Sequence, residues 1–350
     1  MFNLRDREWG EFKIGDLFNV KIGQAIDGNK VNLIEGKTAY ITRKESNNGL
    51  DGFIDYRSTF LNAESPVITI GNETAEPFVQ TFPFFTGTKV NILSAKKAVS
   101  SQALLFVVQS MKMHKSKYSY SFTINSARAK KQTILLPIAD DGKPDWQFME
   151  DYICEREQGF VQQYVEYAEN LLRECNVDEV VPLRKKAWSE FVLRDIFTTI
   201  QRGKRLKTAD HKKGHTPYVS STAFNNGVDA FISNQDGVRR FNNCLTIANS
   251  GSVGKTFYHP YELVASDHVT QLKNSEFNQY VYLFLTSIIS RLEEKYSFNR
   301  EMNDLRIKRD KLLLPVDDSG NPDWAYMEQY AKSIMRKQLQ AYLAHIVYSQ

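Results

Sequence analysis

Residues 135–152 read LLPIADDGKPDWQFMEDY, and residues 313–330 read LLPVDDSGNPDWAYMEQY. The two stretches share a Leu-Leu-Pro entry, an acidic turn with a glycine, and a Pro-Asp-Trp step into Met-Glu and Tyr. A match of this length inside one chain raises the question of internal duplication, and that question decides the fold. Working outward, NNGLDGFI at 47–54 stands at the same offset from NNGVDAFI at 225–232. LRDREWGEFKIGDLF at 4–18 aligns with LRKKAWSEFVLRDIF at 183–197, which puts Trp9 on Trp188, Asp16 on Asp195 and Phe18 on Phe197. Between these, VITIGN resembles CLTIAN, and Arg128 in NSARAKKQ falls on Arg306 in NDLRIKRD. The offset holds at about 178 residues from the first tryptophan to the last. Solenoid units run roughly 20–50 residues, so each copy here is domain-sized. The repeated Trp and Phe positions are expected in the core.

One copy reads as follows. EFKIGDLF or EFVLRDIF opens it as a short helical or capped segment. Short β-type runs follow in pairs: TAYIT and TPYVS, GFIDY and AFISN, PVITI and CLTIA, FVQTFPFF and KTFYH, TKVNIL and HVTQL. Turn signals at Asn48-Gly49, Asn226-Gly227 and Asp236-Gly237 separate them. Helical patterns then appear in SQALLFVVQSMKMHK and FNQYVYLFLTSIISRLEEK. Strands packed with helices define an α+β domain. After Pro144 and Pro322, expected near the first turn, Asp145 and Asp323 favour the N-terminal dipole of a long helix. Trp146, Met149, Ile153, Phe160, Tyr164, Ala168, Leu171 and Leu172 form one apolar stripe, and Trp324, Met327, Tyr330, Ile334, Leu339, Leu343 and Ile346 the other. About 30 residues at ~1.5 Å each make a rod of about 45 Å. The expected order is a globular domain at 1–143, a helix at 144–180, a second domain at 181–321 and a second helix at 322–350. The two helices are expected to pack as an antiparallel, coiled-coil-like pair that spaces the domains.

Composition excludes several classes. The chain has 350 residues, 42% of them hydrophobic and 25% charged, which is ordinary for a globular protein. No apolar run is long enough to span a bilayer, and MFNLRDREWG lacks the apolar core of a signal peptide. Cys154, Cys175 and Cys244 are scattered and form no C-x-x-C pair, which suits reduced thiols in a cytoplasm. A net charge of +4 and a pI near 8.7 permit nucleic-acid binding without requiring it.

LTIANSGSVGKTFYHP at 245–260 carries Gly254, Lys255 and Thr256, the tail of a phosphate-binding loop. The leading glycine is replaced by Asn249. The residues after Thr256 favour a strand and then break at Pro260, where such a loop would open a helix. The counterpart in the first copy, IGNETAEPFVQTFP, has no Gly-Lys-Thr. A strand–turn–strand reading therefore replaces a nucleotide site. His211 and His215 stand four apart with no third ligand nearby, so no metal site is expected.

The tandem units, each opening with W-x-x-F-x-[IL]-x-[DE]-[IL]-F, carrying an internal N-N-G hairpin and closing into a helix, resemble the DNA-specificity subunits of restriction–modification systems, type I and BcgI-like type IIB. The compact length and the PDW-x-[FY]-M-E-x-Y entry to each helix look more like the BcgI-like branch. The resemblance covers essentially the whole chain. It implies two target recognition domains that read the halves of a split, asymmetric DNA site, and helices that act as a ruler. It also implies docking of methyltransferase or fused nuclease–methyltransferase subunits, which would hold the S-adenosylmethionine, Mg²⁺ and any ATP. The chain itself would have no catalytic residues and no cofactor, and neither a [DN]-P-P-[YFW] motif nor a P-D…[DE]-x-K cluster is present.

Arg or Lys to guanine, and Asn or Gln to adenine, are the common base pairings, while phosphates position the protein. The candidate DNA contacts are therefore polar or basic residues on corresponding loops. They comprise Lys21 and Gln24 in KIGQAID against Arg202, Lys204 and Arg205 in QRGKRLK. Arg43, Lys44, Asn47 and Asn48 stand against Ser220, Ser221, Asn225 and Asn226. Lys89 aligns with His268, and Lys255 sits on the varied hairpin. Tyr118 and Arg128, with Tyr296, Arg300 and Arg306, form a third region. A tandem scaffold for protein or glycan is the rival from the interaction class, and a nucleotide hydrolase the rival from the enzyme class.

Overall fold

The computed structural model describes residues 2–296 and 301–349, so Arg300 lies outside the described residues. The chain forms two compact units, Met1–Tyr164 and Val165–Gln350.

In the first unit the two ends of the domain are tied together. Strand Trp9–Lys13 pairs antiparallel with Thr133–Pro137, from Trp9 opposite Pro137 to Lys13 opposite Thr133. Thr133–Pro137 obeys the two-residue period of a half-buried strand: Ile134 and Leu136 are buried while Leu135 is exposed. A four-stranded antiparallel sheet runs in the order Phe18–Ile22, Val90–Ala95, Val67–Gly71, Pro77–Gln80. A three-stranded sheet runs Leu50–Ile54, Thr38–Ile41, Phe84–Thr86, with the last pair parallel. Helix Ser101–Lys112 lays Leu104, Val107 and Met111 into a core with Phe18, Ile68, Ile70, Leu93 and Leu136.

The second unit repeats this plan. Trp188–Val192 pairs with Lys311–Pro315, where Leu312 and Leu314 point inward and Leu313 outward. Its main sheet runs Thr199–Arg202, Val269–Lys273, Cys244–Ala248, Thr256–His259. Its second sheet gains one strand, in the order Val228–Ile232, Lys213–Val219, Leu263–Ala265, Arg240–Phe241. Helix Gln279–Ile289 packs Tyr282, Leu285 and Ile289 against Phe197, Leu245, Ile247 and Leu272.

Each unit leads into or ends with a long helix, Trp146–Glu174 and Trp324–Ser349. Asp145 caps the first by accepting from the Phe148 amide at 3.0 Å, and Asp323 caps the second through the Tyr326 amide at 2.9 Å. Pro144 and Pro322 thus precede the cap rather than occupying the first turn, and each forms an isolated bridge, to Ile138 and Val316.

Other sequence readings need adjustment. FVQTFPFF is two strands, Pro77–Gln80 and Phe84–Thr86, one in each sheet, because the chain crosses between sheets at Thr81–Pro83. The helix expected through Lys295 ends at Ile289 and tightens into a 3₁₀ turn, Ser290–Glu294. Phe18 and Phe197 are core, but Trp9 is 40% exposed. Its indole N–H donates to the Leu4 carbonyl at 3.2 Å, and Trp188 does the same to Leu183 at 3.1 Å. The repeated tryptophan ties down the chain before its strand. In the first long helix Met149 and Ala168 are buried while Phe160 is 70% exposed, so its apolar stripe is not a continuous core seam.

Candidate nucleic-acid interface

Both units build the same frame at the tip of the main sheet. In the first, the Asn72 amide donates to the Lys89 carbonyl at 3.0 Å, the Asn72 carbonyl accepts from Ile124 at 2.8 Å, and the Asn72 side chain accepts from Asn91. In the second, the Asn249 amide donates to the His268 carbonyl at 2.8 Å, its carbonyl accepts from Met302 at 3.1 Å, and its side chain donates to Thr270 at 2.9 Å. Both asparagines are buried. A buried amide with its partners supplied fixes the loop around it, since leaving any of them unpaired would cost about 1–3 kcal/mol.

On that frame the side chains differ. In the first unit Arg43 and Lys89 both pair with the carboxylate of Glu73, Lys89 at 2.9 Å. Lys44 pairs with Asp51, and Lys21 lies 3.6 Å from Glu64. Asp27, Asn29, Arg43, Lys44 and Glu73 border an open polar concavity of about 600 Å³. Gln24 is exposed and accepts through its carbonyl from Thr86 at 3.1 Å. Lys115 bridges Glu45 and Glu76, both at 2.7 Å. Burial pushes the Glu76 carboxyl upward, but the hydrogen bonds from Lys115 and Lys112 outweigh it and hold that carboxyl below its ordinary range.

In the second unit Ser221, Ser250 and His268 stand where the first has Arg43, Glu73 and Lys89. Ser250 Oγ is hydrogen-bonded to His268 Nδ1. Ser220 is held by its amide to Gly227, and the Ser221 carbonyl accepts from Ser252 at 3.1 Å. Arg202 lies 3.8 Å from Asp304. Lys204 and Arg205 are exposed.

The N-N-G segments are turns in which Asn47, Asn48 and Gly49 all have positive φ, as do Asn225, Asn226 and Gly227. Asparagine and glycine are the residues that enter this region most readily. The Asn48 side chain donates to the Val79 carbonyl at 3.2 Å, and Gln80 returns a bond to the Asn48 carbonyl at 3.0 Å. Arg128 and Arg306 also share a structural task. Arg128 Nη1 donates to the Thr123 carbonyl at 2.7 Å and Arg306 Nη1 to the Glu301 carbonyl at 2.6 Å, each at the start of a short helix capped by Asn125 or Asn303. Arg128 also lies over the Phe122 ring, which stacks on Tyr118. Tyr118 donates to Gln132 at 2.9 Å, whereas Tyr296 is buried and donates to Asp310 at 2.6 Å.

The Gly-Lys-Thr segment is the turn of a hairpin in which Cys244 faces His259 and Ile247 faces Thr256. Thr256 Oγ1 donates to the Gly254 carbonyl at 2.9 Å and is buried, and Lys255 pairs with Glu293 at 2.6 Å. The lysine and the threonine of that motif are thus both engaged by protein partners. The His211 ring packs edge-on against Tyr218 with centroids 4.6 Å apart, and among the described residues no three His, Cys, Asp or Glu gather as a metal site. No described helix is long and apolar enough to cross a membrane. The buried asparagines and the partner carboxylates Glu73 and Asp51 were missed from sequence. The alignment of VITIGN with CLTIAN carries the asparagine signal, whereas an acid that holds a cation leaves no local mark in sequence.

Two units with one frame and divergent tips define a tandem recognition protein whose two reading surfaces differ. The chain belongs to the family of the type I restriction modification DNA specificity domain, whose model matches residues 6–160 and again 185–343. It is 39% identical over 337 residues to the type II restriction enzyme specificity subunit S.BcgI of Heyndrickxia coagulans, covering 94% of this chain and 95% of that one. Its fold is similar to the crystal structure of the type I restriction-modification S subunit from M. genitalium, with a TM-score of 0.54 at 15% identity, over 99% of this chain and 94% of that one. The role of the chain is DNA sequence recognition as a non-catalytic specificity subunit.

Proposed function

We propose that residues 1–143 and 181–321 are target recognition domains, each reading one half of a bipartite, asymmetric site. Residues 144–180 and 322–350 would pair as an antiparallel spacer that sets the distance between the halves. That spacer would also dock methyltransferase or fused nuclease–methyltransferase subunits, which carry S-adenosylmethionine and Mg²⁺. The carrying observation is that the frame around Asn72 and Asn249 persists while the tips change from Arg43, Glu73 and Lys89 to Ser221, Ser250 and His268. Specificity resides on loops held by a rigid scaffold, and two unlike tips on one scaffold read unlike sequences. S.BcgI, a type II restriction enzyme specificity subunit, favours the type IIB arrangement.

In the proposed contacts, Lys21, Lys204, Arg205 and Lys255 serve phosphates, and Arg43, Gln24 and His268 face base edges. The test exchanges residues 1–143 for those of a relative and maps methylated positions with the assembled complex. One half of the methylated sequence should change while the other stays. A change in both halves, or in neither, overturns the modular reading.

A further inference from the structure

We propose that Arg43 reads a guanine in the half-site of the first unit and that Glu73 is the positioning residue that aims it. The inference rests on the reading that this unit contacts DNA, and adds which side chain discriminates and how it is held.

Three observations carry it. Arg43 sits tightly placed at its root: a Cβ added to Gly71 would fall 3.0 Å from the Arg43 Cα, so the main sheet and the Arg43 loop are in direct contact. Its guanidinium is anchored on one side by Glu73, whose side chain is only 15% exposed and also binds Lys89 at 2.9 Å. The Arg43 side chain itself remains 35% exposed. A carboxylate sunk between two cations is poorly placed to meet a base, whereas a planar guanidinium held at one edge keeps further N–H groups for a bidentate acceptor pair. The O6 and N7 atoms of guanine offer that pair in the major groove. Immobilising a long side chain before binding removes an entropy cost that would otherwise weaken discrimination.

The second unit supplies the contrast. At the corresponding positions Ser221 is short, and Ser250 holds His268 by Nδ1, which leaves no fork. This position should therefore impose a guanine on one half-site only.

The experiment uses the full chain assembled with its methyltransferase partner. Binding constants are measured on duplexes varied one base pair at a time across both half-sites, for the wild type, R43A, R43K, E73Q and E73D. Thermal melts confirm that each variant is folded. The wild type should prefer guanine at one position of one half-site, by roughly 5- to 150-fold, the span of a good bidentate contact. R43A should abolish that preference and leave the other half-site unchanged. E73Q keeps the arginine charge, so it should reduce the preference without lowering affinity for unrelated DNA, and E73D should restore part of it. R43K, a point charge without the fork, should retain affinity and lose discrimination. An equal loss by R43A on every sequence would make Arg43 a phosphate contact and overturn the proposal. Unchanged preference in E73Q would overturn the role of Glu73. A wild-type complex with no bipartite preference at all would overturn the underlying DNA reading, and the proposal with it.

Discussion

The ammonium of Lys255 lies 2.6 Å from the carboxylate of Glu293, across the turn that imitates a phosphate-binding loop. In a nucleotide site that lysine would reach a terminal phosphate. Here it closes the hairpin onto the 3₁₀ turn following helix Gln279–Ile289. Calorimetric titration of the chain with Mg-ATP should give no saturable heat. K255A should shift thermal stability by no more than about 1 kcal/mol, because both partners are largely solvated. Millimolar or tighter ATP binding that K255A removes would contradict this account.

The glycines separate two kinds of backbone demand. Gly254 has φ of +85°, and a Cβ there would stand 2.8 Å from the backbone of Glu293. Gly320 has φ of +81° with nothing within 4 Å. G320A should therefore lose only the left-handed penalty, about 1 kcal/mol. G254A adds a steric clash that flexible side chains cannot relieve, so it should lose about 2–4 kcal/mol. Equilibrium denaturation of the two variants checks the order, and equal losses would show that the hairpin turn moves freely from Glu293.

Much of this architecture was legible before any coordinates. The duplication gave two domains, the N-N-G pairs marked turns, and most apolar runs became strands, because these signals are local in sequence. What was not legible is long-range. Nothing in EFK announces its pairing with TILLP more than a hundred residues later, nor in TAYI its parallel partner Phe84–Thr86. The candidate site shows the same limit. Positive residues were visible from their chemistry, but whether a lysine is exposed or held by a carboxylate depends on which loops meet. Tyr296 illustrates this: it stands among the candidate DNA contacts in sequence, yet it is buried against Asp310.

The entry to the second long helix should titrate in acid. Burial raises the affinity of Asp323 for a proton, but the Lys186 ammonium at 2.7 Å and the Tyr326 amide outweigh it, so its carboxyl is held below the ordinary value. A depressed folded-state pKa contributes stability above the unfolded value near 3.8, and that contribution disappears as pH falls through the folded value. D323A should lose about 1–2 kcal/mol at neutral pH, combining a lost cap and a lost partner for Lys186. D145A, at the equivalent cap, should lose about 1 kcal/mol. Melting curves from pH 7 to about 2.5 should show the wild type and D323N converging at the acid end. Parallel curves would mean that the Lys186 contact adds nothing.

Salt should separate the cations of the two units. In the first unit Lys21, Arg43, Lys44 and Lys89 each have a carboxylate partner, so a phosphate arriving there must displace an acid. Lys204 and Arg205 are exposed and, among the described residues, have no ion-pair partner. Among the candidate contacts these two are therefore well placed to release counterions from DNA. Each phosphate contact contributes about −0.9 to the slope of log K against log salt. K204A/R205A should flatten that slope by about 2 and weaken binding to cognate and unrelated duplexes alike. K21A should change the slope less, since Lys21 already has Glu64 as a partner and a phosphate there must compete with that carboxylate. Fluorescence anisotropy of the assembled complex between 50 and about 300 mM salt measures both. If K204A/R205A left the slope intact but altered the preferred sequence, the loop would be reading bases and its assignment to phosphates would fail.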